Sequence, residues 1–206
     1  MRVRKKKNAA ARIQAVGDYL IGDIKELEGI KNVHIEIGCG KGMFVCELAR
    51  RNPDIAFIAV EKSESVMVSA MERAAGEGID NIKFFLGDIL CFEELDNTHF
   101  VDRIYLNFSD PWHRTRHSKR RLTAGRFIDL YKKLLTLNGS IHMKTDNEKL
   151  FDFSVNSFAE NDLFLSDVTR DLHKNKDIDN IMTEYETNFV SQGLPIYALK
   201  AHSEEY

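Results

Sequence analysis

The sequence has few cysteines and no long apolar run, and both absences limit what the protein can be. Its 206 residues include three cysteines, which form neither a CxxC pair nor an even set suited to a disulfide framework. No window approaches the roughly 18 apolar residues that a membrane helix needs. The basic N-terminus is not followed by an apolar signal core. We therefore expect a cytoplasmic protein with reduced thiols and no membrane partner.

Charge is close to balance, but the basic residues are unevenly placed. Lys and Arg total 29 against 32 Asp and Glu, a net charge of −3, which argues mildly against a nucleic-acid-binding protein. Residues 2–12 nevertheless carry several Lys and Arg and no acid, and residues 111–126 do the same. We interpret this pattern as an acidic body with two local basic patches.

The spacing of apolar residues predicts the fold class. Residues 12–28 have helical spacing, and beyond them short apolar runs alternate with helical patterns. The apolar strands predict an α/β, Rossmann-like fold, a mostly parallel central sheet with helices on both faces. We expect a basic tail at residues 1–12 and a single domain at residues 13–206. The predicted strands are residues 33–37, 55–60, 82–86, 102–108 and 140–144, with a strand-like stretch at 185–201.

Acidic residues lie at or beside the end of five successive predicted strands. In open parallel sheets, ligands bind outside the carboxyl ends of the strands. The regular placement of acids there indicates a ligand site lined with carboxylates. The five residues are Glu36, Glu61, Asp88, Asp110 and Asp146.

A glycine-rich loop, GCGKG at residues 38–42, follows the first strand and precedes a helix. A dinucleotide fingerprint would need glycine where Met43 stands, and a P-loop would need glycine at Ile35 and Ser or Thr at Gly42. What remains is Glu36 followed by a G-x-G-x-G turn. This pattern resembles the S-adenosylmethionine loop of class I methyltransferases.

Two strand-end acids suit the polar groups of that cofactor. Glu61 is placed to accept from the ribose hydroxyls, as an acid does in dinucleotide folds. Asp88 is placed to accept from the adenine amino group. Asp88 can alternatively be a helix N-cap, a position that Asp often takes. Capping alone does not account for the glycine loop or for the spacing of Glu61.

Residues 106–122, LNFSDPWHRTRHSKRRL, are the most distinctive stretch. With Glu36 to Gly42, Glu61, Asp88, Asp146 and the TEYE segment at 183–186, they resemble the bacterial tRNA (guanine-N7-)-methyltransferase family. The resemblance spans about residues 33–190. It implies a class I methyltransferase fold and methyl transfer from S-adenosylmethionine to guanine N7 at position 46, in the variable loop of tRNA. The products would be 7-methylguanosine and S-adenosylhomocysteine. We expect no metal cofactor, and we expect the protein to be a monomer or a homodimer.

The resemblance also implies a role for each matching residue. The cofactor would contact Glu36, Gly38, Gly40, Glu61, Asp88 and Asp110, and Asp110 would also be catalytic. The tRNA and its guanosine would contact Arg114, Arg116, His117, Lys119, Arg120, Arg121, Asp146, Thr183 and Glu186. Three positions depart from the usual pattern: His113 replaces a frequent Pro, and Arg114 and Thr115 each replace a Lys. Arg114 keeps the charge but changes its geometry.

The chemistry of guanine fits these residue types. N7 carries a lone pair and no proton, so its methylation needs no general base, and no Ser-His-Asp or Cys-His set is evident. Catalysis should come from positioning and from charge stabilisation, to which Asp110 could contribute. Asp146 and Glu186 could accept from guanine N1–H and the N2 amino group of an unstacked nucleotide.

Other interpretations stay open at this point. Asp110-Pro111 can be a turn, Trp112 a half-buried core residue, and residues 116–121 a solvated face. His113 and His117 are expected to face RNA or solvent and not a metal. The rival functions are a small-molecule methyltransferase and an RNA-binding protein without catalysis. A nicotinamide dehydrogenase fits least.

Overall fold

The chain divides into two units, one ending at residue 97 and the other beginning at residue 98. A computed structural model describes residues 8–96, 99–175, 178 and 180–203. The predicted basic residues at 2–7 lie outside this range. The arrangement of a tail at 1–12 and one domain at 13–206 stays a prediction, although Arg12 belongs to a helix and its Nε donates to Glu72 Oε1 at 2.7 Å.

The first unit alternates strands and helices, as the sequence predicts. β1, β2 and β3 are parallel in the spatial order β3-β2-β1, with Ile35 opposite Ile58 and Ala59 opposite Phe84. Its elements are α1 (Ala9–Ala15), β1 (Val33–Ile37), α2 (Met43–Arg51), β2 (Ala56–Glu61), α3 (Glu64–Gly76) and β3 (Ile82–Leu86). Short 3₁₀ helices cover Gly17–Tyr19, Ile24–Leu27 and Ile89–Glu94.

The prediction of one helix over residues 12–28 is wrong. α1 ends at Ala15, because the chain then turns so that Leu20 forms a bridge with Phe84 and Ile21 N–H donates to Phe84 O at 2.8 Å. Asp23 and Glu26 then form a capping box that starts a separate 3₁₀ turn. The larger apolar residues of this segment are buried or half-buried, but through three short elements and not one helix.

The second unit has its own strands, in the order β4-β5-β7-β6. β5 is parallel to β4 and antiparallel to β7, which is antiparallel to β6. Its elements are β4 (Val101–Asn107), α4 (Gly125–Leu134), β5 (Leu135–Thr145), α5 (Glu148–Glu160), β6 (Phe164–Thr169), α6 (Glu184–Val190) and β7 (Tyr197–His202). Short 3₁₀ helices cover Thr115–Arg120 and Leu172–Lys174.

The strand-like stretch predicted at 185–201 is only partly correct. Residues 184–190 form α6, because Thr183 and Glu186 make a capping box that begins a helix there. The strand β7 begins at Tyr197, after the turn at Gly193. The α/β class itself is confirmed, since each unit connects parallel strands through helices. In the described part of the chain, no helix is long and apolar enough to cross a membrane.

The three cysteines should differ in reactivity. Cys39 and Cys46 are buried, and Cys91 is exposed. Burial raises the pKa of Cys46 to about 12 and also raises that of Cys39 well above its ordinary value. We expect a thiol reagent at pH 8 to label Cys91 in the folded protein and the other two only after unfolding, as measured by mass spectrometry. A Cys91→Ser variant, the control, should be unlabelled when folded, and equal labelling of Cys46 and Cys91 would contradict this expectation.

The same shifts predict a pH dependence of stability. An unfolded thiol ionises near pH 8.5, whereas these thiols stay protonated in the fold at that pH. Their contribution is therefore complete below about pH 8 and is lost as the pH rises toward the folded pKa values. Replacing Cys46 by Ser should flatten the fall in the free energy of unfolding above pH 9, as measured with urea.

Candidate active site

The glycine loop between β1 and α2 uses its glycines for two different reasons. A Cβ at Gly42 would lie 2.7 Å from the Cβ of Ala70, so this glycine lets the loop pack against α3. Gly38 and Gly40 have positive φ angles of 81° and 59°, and nothing lies within 4 Å of where a Cβ would be. The loop therefore exposes backbone that a ligand can approach closely.

Glu61, at the end of β2, ties this loop to the start of α3. Its Oε2 accepts from Gly40 N–H at 3.2 Å and its Oε1 from Ser63 N–H at 2.9 Å. A carboxylate has about four lone-pair sites, so Glu61 can hold the loop and still accept from a ligand hydroxyl. The half-buried residue thus has both a structural role and remaining acceptor capacity.

The other predicted cofactor residues of this unit lie near the same strand ends. Glu36 is buried within β1, with 3% of its surface exposed. Burial is the main cause of the raised pKa of Cys39. The negative charges of Glu36 and Glu61 raise this pKa further, which places both carboxylates near the loop. Asp88 accepts from Leu90 N–H at 3.1 Å as the cap of a 3₁₀ helix, and Lys62 Nζ lies 2.7 Å from its Oδ2. The capping interpretation of Asp88 is confirmed, and its ligand role stays a prediction.

In the second unit, the segment after β4 forms a cavity of about 360 Å³. Asp110 is an exposed carboxylate at this cavity. Two aromatic residues of the segment, Phe108 and Trp112, have positive φ angles of 51° and 43°, which are rare for bulky side chains and indicate local strain. The cavity is lined by Asp110, Pro111, Trp112, His113, Arg114 and His117.

Arg121 holds this loop in place. Its Nε donates to Pro111 O at 2.9 Å, its Nη2 to Trp112 O at 3.4 Å, and its guanidinium lies 4.3 Å from the centre of the Phe153 ring. The residue is half-buried, unlike most of the basic run. These contacts support the strained backbone at Trp112, and the RNA contact that the family resemblance implies for Arg121 stays a prediction.

The rest of the basic run surrounds Trp112 or faces outward. Arg120 lies 5.0 Å above the indole ring, and the ring of His117 meets it edge-on with centroids 5.7 Å apart. Trp112 is half-buried, which agrees with the interpretation of this residue as partly buried. Four residues present exposed cationic side chains on or beside the 3₁₀ turn: Arg114, Arg116, Lys119 and Arg120.

Glu186 is buried and surrounded by hydrogen-bond donors. None of its surface is exposed. Its Oε1 accepts from His173 at 2.9 Å and Asn180 at 2.6 Å, and its Oε2 from Lys144 at 2.8 Å and Thr183 N–H at 3.3 Å. A ligand N–H could reach this carboxylate only by replacing one of these donors.

Lys144 is the charged partner that the sequence analysis missed. Its ammonium group donates to Glu186, to Asn180 Oδ1 and to Ile181 O, each at 2.8 Å, and so uses all three protons. A lysine at the end of a strand in a sheet expected to be covered on both faces is the signal that could have revealed it. Asp146, two residues further on, is half-buried beside the start of α5.

No metal centre is evident in the part of the chain that the structure describes. Among residues 8–96, 99–175, 178 and 180–203, no three His, Cys, Asp or Glu side chains are grouped so that they could hold an ion. Each ion pair noted above joins a carboxylate to a Lys or Arg.

Comparison with known proteins identifies relatives over almost the whole chain. A family model described as a putative methyltransferase matches residues 30–199. A tRNA (guanine-N(7)-)-methyltransferase from Brevibacillus brevis is 49% identical, covering 87% of this chain and 85% of that protein. A protein of the same name from Clostridioides difficile is 41% identical, with 98% of each chain covered.

Solved structures support the fold. A 16S rRNA methyltransferase matches with a TM-score of 0.62 at 14% identity, covering 98% of this chain and 97% of that one. A SAM-dependent methyltransferase from Aquifex aeolicus matches with a TM-score of 0.59 at 12% identity, covering 95% and 98%. The Rossmann-like class I methyltransferase fold predicted from the sequence is confirmed.

The buried pair of Lys144 and Glu186 should contribute strongly to stability. Glu186→Gln keeps the shape but leaves the lysine charge without its counter-charge, which should cost about 3–5 kcal/mol in the free energy of unfolding. Asp152→Asn, which breaks the exposed pair with Arg170, is the control and should cost far less, because water screens that pair. Urea unfolding measures both, and similar costs for the two variants would contradict a structural role for the buried pair.

Proposed function

Because the chain belongs to the tRNA (guanine-N(7)-)-methyltransferase family, we propose that it methylates N7 of a guanine in the variable loop of tRNA, at position 46. The product is 7-methylguanosine, and S-adenosylmethionine is the methyl donor. The structural observation that supports this proposal best is the cavity at Asp110. It combines the exposed carboxylate of Asp110 with the exposed cation of Arg114, directly before the basic turn.

The first unit offers groups that fit the methyl donor. The open backbone at Gly38 and Gly40 suits the close approach of a ligand without phosphates, and Glu61 keeps acceptor capacity for hydroxyls. When bound, S-adenosylmethionine supplies an electrophilic methyl group and is converted to S-adenosylhomocysteine. The residues of this unit proposed to hold it are Glu36, Gly38, Gly40, Glu61 and Asp88.

The second unit offers groups that fit the guanine. N7 has a lone pair and no proton, so the protein needs to orient the base and not to deprotonate it. Methylation leaves the ring positively charged, and the exposed carboxylate of Asp110 would stabilise that charge. Asp146 and the Thr183–Glu186 turn are proposed to hold the donor groups of the base, which Glu186 would accept in place of one of its present donors. A carboxylate accepts from guanine N1–H and the N2 amino group, a pattern of donors that adenine lacks.

The exposed cations fit the phosphates of an RNA. Arg114, Arg116 and Lys119 are exposed and can neutralise phosphate charges. The overall acidic charge of the chain confines this attraction to a local surface. RNA binding should therefore be weak at high salt and should depend on few residues.

The first test is transfer of a labelled methyl group from S-adenosylmethionine to unmodified tRNA, followed by nucleoside analysis. We expect 7-methylguanosine, and a loss of kcat of about 100-fold or more in Asp110→Asn, because charge stabilisation at the base is removed. Asp146→Asn should lose tRNA methylation while binding S-adenosylmethionine normally, as measured by calorimetry. Asp129→Asn, at an exposed position of α4, is the matched control.

Two outcomes would contradict the proposal. Unlabelled tRNA with normal binding of the methyl donor would move the substrate to another molecule. Parallel loss of donor binding and tRNA methylation in Asp146→Asn would remove Asp146 from the guanine site.

A second test compares an exposed arginine of the basic run, Arg116, with the half-buried Arg121. Arg116→Ala should lower the slope of log affinity for tRNA against log salt by about 1, because one phosphate contact is lost. Arg121→Ala should leave that slope unchanged and lower kcat at saturating tRNA, because the Trp112 backbone loses its support. Arg121→Lys should rescue kcat only in part, since one ammonium does not reproduce the planar contact with Phe153. A reduced slope in Arg121→Ala would instead assign Arg121 to RNA.

A further inference from the structure

The ends of β2 and β3 are joined by an ion pair to which the proposed function gives no role. Lys62 directly follows Glu61 at the end of β2, and its ammonium nitrogen lies 2.7 Å from Oδ2 of Asp88, just beyond β3. The Lys62 side chain is 63% exposed and that of Asp88 is 35% exposed. A pair so open to water adds little to stability, so stability does not account for it.

Contacts at both oxygens fix the orientation of the Asp88 carboxylate. Its Oδ1 accepts from Leu90 N–H at 3.1 Å as the cap of the 3₁₀ helix Ile89–Glu94, and its Oδ2 faces the ammonium group of Lys62. The backbone contact alone would leave the second oxygen without a fixed direction. A carboxylate has about four lone-pair sites, so these two contacts do not by themselves exclude a further donor from a ligand.

The same two strand ends carry the acceptors proposed for the two halves of an adenosine. β2 and β3 are parallel neighbours, with Glu61 opposite Leu86, and Asp88 follows two residues later. Glu61 is proposed to accept from the ribose hydroxyls and Asp88 from the adenine amino group. Lys62 begins beside the first of these acceptors and its ammonium group ends on the second. It is therefore placed to set the direction in which Asp88 meets the base.

We propose that Lys62 is a positioning residue that makes the adenosine site selective for a base with an exocyclic amino group. Its ammonium group holds the Asp88 carboxylate in the orientation that accepts from that amino group. A base with a carbonyl oxygen in the same place, such as hypoxanthine, presents an acceptor to an acceptor and gains no hydrogen bond. This inference rests on the proposed function, because it names what selects the base of the same methyl donor.

Two ligands that differ only in the base test this role without any methyl transfer. S-adenosylhomocysteine carries the amino group, and S-inosylhomocysteine carries an oxygen in its place. Calorimetry measures the affinity of the full-length protein for each of them. We expect the wild type to prefer the adenosine compound by about 10- to 100-fold, which is the effect of one hydrogen bond to a charged group.

Substitutions of Lys62 should change the affinity for only one of the two ligands. Lys62→Met keeps the length of the side chain but removes its charge. It should weaken binding of S-adenosylhomocysteine about 3- to 5-fold, the effect of an exposed ion pair, and leave binding of S-inosylhomocysteine within about 2-fold of the wild type. Lys62→Arg keeps the charge and should bind both ligands as the wild type does. Lys200→Met, which breaks an exposed ion pair with Asp167 in the second unit, is the matched control and should change neither affinity.

A double-mutant cycle with Asp88→Asn determines whether Lys62 acts through Asp88. Asparagine is also a good helix cap, so this variant should keep the 3₁₀ helix while it loses the carboxylate. Asp88→Asn should weaken binding of S-adenosylhomocysteine about 10-fold or more. Adding Lys62→Met to it should weaken binding no further, because the ammonium group then has no carboxylate to orient.

The outcomes separate this inference from the proposed function. If the wild type binds neither ligand, both fail. If it binds S-adenosylhomocysteine but does not methylate tRNA, the proposed substrate fails while the role of Lys62 is still decided by the variants. Unchanged or tighter binding of S-adenosylhomocysteine by Lys62→Met, equal weakening of both ligands, or additive effects in the cycle would overturn the positioning role alone. A loss confined to S-adenosylhomocysteine, and absent when Asp88 is already replaced, would support it.

Discussion

The buried ion pair of Lys144 and Glu186 is the interaction on which the second unit's site depends. It joins the end of β5 to the first turn of α6, two elements 42 positions apart in sequence. Two charges removed from water are costly unless every donor and acceptor is satisfied. Here the ammonium has three acceptors and the carboxylate four donors. This requirement fixes where Thr183 and Tyr185 lie.

Glu61 and Arg121 likewise hold parts of the structure in place through hydrogen bonds of a charged side chain. Each is a charged residue that the sequence assigns to a ligand, and each also holds the backbone of the loop beside it. A ligand that meets such a residue meets a loop that is already ordered, which lowers the entropic cost of binding. The loop with Trp112 needs such support, because a positive φ angle strains a bulky residue.

Much of the fold and part of the site could be predicted from the sequence. The strands β1 to β4 and the glycine loop were found within a residue or two, because apolar runs and glycines are local signals. The helix over residues 12–28 was not, because the bridge between Leu20 and Phe84 competes with helical spacing. α6 was missed because its capping box is short and is followed by strand-like residues.

By itself, the sequence determined the α/β class, the order of strand-end acids and the family to which the chain belongs. These follow from patterns within a few residues and from similarity along the chain. Only the tertiary structure decided that Arg121 turns inward to Phe153, that Glu186 is enclosed by donors, and that Tyr185 presents its ring outward. The physical reason is that burial and ion pairing depend on residues tens of positions apart, which packing brings together and local patterns do not record.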